Sequence, residues 1–99
     1  MCLTKELLIR FYSSMDYTLR FLIHFKSMTM LGYPFDKILA EEPWRTYEAL
    51  VRLMGQHNAD VIITLLSNWL RRNGCYLDPE ALRRYLSDRG AWPIDGRPS

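Results

Sequence analysis

Apolar side chains return every three to four positions over most of this chain, and no stretch alternates every second residue as a half-buried strand does. A 3.6-residue period is buried by laying helix against helix. The expected fold is therefore all-α, a compact bundle of four to five helices with a long N-terminal helix. At 99 residues the chain suits one domain and is large enough for a core of its own. That domain is expected over residues 1–90, with a flexible C-terminal tail over 91–99, where two Pro and one Gly gather.

Helix starts and stops are written in capping chemistry. Thr4 is a plausible N-cap with Glu6 in the first turn. Leu8, Met15 and Leu22 then recur every seven residues, with Phe11, Tyr12, Leu19 and Met30 near the same stripe, up to Gly32 and Pro34. One helix over Thr4–Leu31 would be about 42 Å long at ~1.5 Å per residue. Such a rod either breaks near Ser13-Ser14 or projects to pack on another chain, and projection is the favoured reading. Phe35–Ala40 suits a short helical turn that pins Phe35, Ile38 and Leu39. The next helix opens on Pro43, carries Trp44, Tyr47, Leu50, Val51 and Met54 inward, and ends at Gly55.

A wide stripe of Val61, Ile62, Leu65, Leu66, Trp69 and Leu70, extended by Ile63, marks His57–Asn73 as the central helix. The last helix begins at Asp78-Pro79-Glu80, with Leu77 and Leu82 placed for a hydrophobic staple, and is expected to run to Gly90. Trp92 could dock back from the tail.

Composition excludes some functions and leaves others open. Formal net charge is +2, too small to argue for nucleic acid by itself. Residues 51–99, however, carry seven Arg against five acids. Arg71, Arg72, Arg83, Arg84 and Arg89 could line one basic edge for phosphates, although charge clusters are usually solvent faces. A helix-turn-helix reading of the helices around Gly55 meets two objections. The outer face of the second helix, with His57, Asp60, Thr64, Ser67 and Asn68, is not basic until its end, and its apolar stripe is wide. No run approaches 18 uninterrupted apolar residues, so no membrane association is expected. Cys2 and Cys75 lack CxxC spacing and no secretory signal precedes them. Reduced thiols in a cytoplasmic protein are the expectation, with Cys75 buried and inert.

Catalytic chemistry finds little to stand on. His24 has no Cys, His or carboxylate three or four residues away and His57 reads as a helix-entry residue, so no metal and no cofactor is expected. Ser13, Ser14, Ser67 and Ser87 lie in helical pattern rather than on a Gly-flanked elbow. Asp36, Glu41 and Glu42 read better as charges at a helix N-terminus than as an acid–base pair. Tyr17, Trp44, Trp69 and Trp92 could line a ligand pocket, but aromatics at helical spacing are more often core.

The stretch from Glu42-Pro43 through Tyr47-Glu48-Ala49-Leu50, Leu53-Met54-Gly55 and Ala59 to Trp69-Leu70 resembles a small archaeal family, the Nitrosopumilus output domain. That family shows a Pro-initiated helix ending in Leu-aromatic-Gly; here Met54 stands at the aromatic position. The resemblance implies an archaeal source and a role as the output or interaction module of a signalling or regulatory system, with no catalytic residues to transfer. From the residues themselves, the favoured function is a non-enzymatic interaction module acting as a homodimer. Leu8, Phe11, Met15 and Leu22 are expected at its interface, and a further protein partner is open. The alternative is a DNA-associated regulator that uses the arginines named above.

Overall fold

The computed structural model describes residues 2–92 and contains six α-helices and two short 3-10 turns among them, with no strand. Helix α1 spans Lys5–Ser14 and α2 spans Tyr17–Met30. The projecting rod is thus replaced by two helices, and the radius of gyration of 12.7 Å matches the ~13 Å of a compact domain of this length. The break falls at Met15-Asp16, just past the serines. Met15 turns extended (ψ 156°), and Asp16 Oδ2 then accepts from the backbone N–H of Thr18 (3.1 Å) and Leu19 (3.4 Å). A carboxylate at that position satisfies the free donors of a new helix, so it starts one rather than continuing the old. The Arg20 guanidinium donates back to the Ser13 carbonyl at 2.6 Å and holds the corner.

Thr4 caps α1 as expected, accepting from Leu7 N–H at 3.1 Å. Leu3 and Leu8, on either side of that cap, occupy the staple positions and are both buried. Helix α2 ends at Gly32, whose φ of 86° is the left-handed value a stop there requires. Helix α3, Phe35–Glu41, buries Phe35, Ile38 and Leu39 as expected. Pro43–Arg45 forms a 3-10 turn that leads into α4, Thr46–Met54. The tighter turn shifts the phase: Thr46, Ala49, Leu50 and Leu53 face inward, while Trp44, Tyr47, Val51 and Met54 are only partly covered.

Helix α5, Gln56–Arg72, packs on α1, α4 and α6, which bears out its central place. Its buried line is Ala59, Ile62, Ile63, Leu66, Ser67 and Leu70; Val61 and Leu65 lie outward, and Ser67, expected on the outer face, donates to the Leu77 carbonyl at 2.6 Å. Helix α6, Pro79–Tyr85, starts on Asp78, which accepts from Ala81 N–H at 2.7 Å. It stops at Tyr85 rather than Gly90. Asp88 then caps a second 3-10 turn, Arg89–Ala91, which turns Trp92 inward so that its indole N–H donates to the Tyr85 carbonyl at 2.7 Å. Residues 91 and 92 therefore belong to the domain, and the rest of the expected flexible tail, 93–99, lies outside the described residues.

The thiols depart from expectation. Cys2 and Cys75 form a disulfide that fastens the N-terminal segment to the loop between α5 and α6, across a sequence separation of 73. Leu70, Cys75 and Leu3 are all buried around that join.

Candidate interaction surface on the second helix

Helix α2 contributes little to the core. Ile23 and Ser27 are its buried residues, and Ser27 Oγ donates to the Tyr33 carbonyl at 2.7 Å. On the opposite side the helix presents Tyr17 (69% exposed), Phe21 (56%) and Phe25 (57%), with Leu22 and Met28 also exposed. Residues four apart stand one above another on a helix, so the three rings make a ladder. Tyr17 and Phe21 stack with centroids 6.3 Å apart, and Phe21 and Phe25 at 6.4 Å, with interplanar angles of 20° and 23°. An apolar row of this size is the kind of exposed patch that is often an interaction site.

Within α2 itself the charges have one sign. No acid occurs between Tyr17 and Met30, while Arg20 and Lys26 flank the row. Arg20 lies over the Tyr17 ring at 5.8 Å. Beside the N-terminal half of α2 a groove of about 210 Å³ opens, lined by Tyr12, Tyr17, Arg20, Phe21, His24 and Asp36. The Tyr12 phenol, at its inner edge, donates to the Arg20 carbonyl at 3.4 Å. Burial, reinforced by the nearby Asp36 carboxylate and opposed by Arg20, pushes Tyr12 up to about 12. The groove therefore offers aromatic walls with a mixed-charge rim, and no nucleophile paired with a base. Among the described residues no group of three His, Cys, Asp or Glu side chains could hold a metal ion.

Of the residues expected at a dimer seam, Leu22 alone stands open on this face. Leu8 is 1% exposed and is consumed inside its own protomer. Phe11 is half-buried, edge-on to Trp69 with centroids 5.7 Å apart. Met15 is half-buried at the break between α1 and α2. A heptad drawn through Leu8, Met15 and Leu22 assumed one uninterrupted helix, and the Asp16 cap resets the phase in the middle of it. The signal in the sequence for the exposed row is Tyr17, Phe21 and Phe25 at four-residue spacing directly after a capping Asp.

The arginines do not form one edge. Arg83 Nη1 lies 3.9 Å from Asp60 Oδ1, near the start of α5, whereas Arg71 and Arg72 end that helix, about 18 Å away along its axis at ~1.5 Å per residue. Arg84 faces Glu80 at 3.9 Å, and Arg89 covers the Trp44 ring at 5.3 Å. Asp60 also accepts from the Tyr47 hydroxyl at 2.7 Å, a bond that raises the Tyr47 phenol above its ordinary value, helped by burial. Tyr47, Asp60 and Arg83 thus tie α4, α5 and α6 together.

The other candidates scatter as well. Trp44, Trp69 and Trp92 are each packed in different surroundings and make no common pocket with Tyr17. Glu41 pairs with Lys37 at 3.4 Å and Glu42 with Arg45 at 2.9 Å, while Asp36 alone reaches the groove. No helix among the described residues is long and apolar enough to cross a membrane. No family model matches the chain, and neither a curated protein nor a solved structure matches it.

Proposed function

We propose that this chain is a non-enzymatic helical interaction module that acts as a homodimer in a regulatory or signalling-output setting, with the α2 face of one copy covered by the same face of another. The observation that carries this reading is the exposed ladder of Tyr17, Phe21 and Phe25, bordered by Leu22 and Met28, on a helix whose inner side is already committed to the core. The exposed area of these five side chains comes to roughly 600 Å² per copy, so covering all of it in a pair buries at most about 1,200 Å², the lower limit of specific interfaces. Aromatic rings and Met are the residue types enriched at the centre of such contacts. Arg20 and Lys26 lie to the sides of the row and stay solvated at a rim.

Light scattering over a concentration series tests this. The expected mass is twice the 11.8 kDa of one chain, falling to one chain when Phe21→Asp and Phe25→Asp are combined, with the helical circular dichroism unchanged. A wild-type mass of one chain throughout the series defeats the reading.

A further inference from the structure

We propose that two copies pair antiparallel through α2, with the Met28 thioether of each seated over the Tyr17 ring of the other at the mouth of the Tyr12–Asp36 groove. This rests on the self-pairing reading above and adds its register and its key contact.

The order of residues along the row sets the register. Tyr17 and Met28 are eleven residues apart, close to three full turns, so they share one face about 16 Å from end to end. The row therefore has an aromatic end and a thioether end. A twofold axis near Leu22 and Ile23 lays the aromatic end of one copy on the thioether end of the other, and Phe21 then meets the partner's Phe25. Sulfur on an aromatic ring is a favourable contact, and the unbranched Met side chain adapts to an irregular gap such as the groove beside Tyr17. An isologous patch must be complementary to itself, and reversing this row sets ring against thioether at both ends.

Charge selects the same arrangement. A parallel pair would align the two helix dipoles. An antiparallel pair opposes the dipoles.

The test uses the full chain with its disulfide intact. Cys2 and Cys75 are bonded to each other, so one introduced cysteine is the reactive thiol. Thr18 and Thr29 are exposed on one flank of the row, and replacing them leaves the row itself intact. Thr18→Cys and Thr29→Cys are prepared separately, mixed in equal amounts and oxidised with diamide. The expected product is the mixed 18–29 dimer, with little product from either variant alone. Efficient self-linking of Thr18→Cys, with the dimer mass retained in light scattering, overturns the antiparallel register while leaving the homodimer standing. A chain that is monomeric in light scattering removes both. The Met28 seat is read separately: Met28→Ala should weaken pairing about tenfold, while Met30→Ala, as exposed as Met28 but two positions further on and so turned away from the row, leaves it within about twofold. Equal effects of the two substitutions overturn the seat.

Discussion

Replacing Cys2 by Ser is expected to lower the stability of the monomeric fold more than any other change at an exposed residue. Cys2 is the better site because it is exposed, whereas Cys75 is buried and a hydroxyl there would bring its own desolvation cost. The bridge closes a loop with a sequence separation of 73. In the chain-entropy account, opening a loop of that length returns about 4 kcal/mol of freedom to the denatured state. For a domain of this size that corresponds to a melting point lower by roughly 15–30 °C, an upper bound because a reduced denatured chain keeps some residual structure. Two measurements check the mechanism. Thermal melts followed by circular dichroism should show wild type in reductant descending to the level of Cys2→Ser. Urea titrations should show a steeper dependence for the variant, since its denatured state exposes more surface. A variant melting within about 3 °C of wild type, with an unchanged urea slope, would refute the idea that this bridge restrains the unfolded chain.

Three further outcomes follow from particular groups. Tyr12 titrates near 12 in the fold against an ordinary 10.0, so its stabilising effect is complete below pH 10 and fades as pH climbs toward 12; Tyr12→Phe should remove that part of the alkaline loss in stability-versus-pH curves, and an unchanged profile counts against it. Thr46 Oγ1 is buried without a hydrogen-bond partner among the described residues, so Thr46→Val should be neutral or stabilising by up to about 1 kcal/mol in chemical denaturation, and a loss of that size would mean that the hydroxyl is satisfied in solution. Amide exchange should be faster in α2 than in α5 for the Phe21→Asp, Phe25→Asp double variant, because α2 buries little beyond Ile23 and Ser27; equal protection of the two helices would show that α2 needs no cover.

Much of this fold is legible in the sequence where one residue does one job. Thr4, Gly32, Gly55 and Asp78 mark their helix ends because capping is a local matter of one side chain or one positive φ. The all-helical class follows from periodicity alone. What failed was phase. Asp16 sits inside a continuous apolar rhythm, and its effect as a cap depends on Met15 leaving the helix, which no pattern of apolar spacing records. The 3-10 turn at Pro43–Arg45 similarly rotated α4, and Val61 and Leu65 were counted into a stripe that closes without them. The disulfide was illegible for another reason: two cysteines 73 positions apart carry no spacing signal, and only the packing of α1 beside α5 brings them together.

These errors share a consequence for function. A continuous first helix would have used Leu8 and Leu22 together, on one seam, and left the chain with a single surface both to fold and to bind. Breaking it at Asp16 separates the side chains that build the core from the exposed row proposed to bind. Helix α1 gives Leu8 and Tyr12 to the core and is fastened at its start by the Cys2–Cys75 bridge. Helix α2 is attached on its inner side by Ile23 and Ser27 and by the side-chain hydrogen bonds of Ser27, Arg20 and Tyr12, none of which involves the outer row, so that row can change with little effect on the packing of α3 to α6. A binding face that is energetically separable from the core lets affinity be altered without unfolding the domain, because substitutions that share no partners act nearly independently. That separation is why the double change at Phe21 and Phe25 should abolish pairing and leave the helical content as it was.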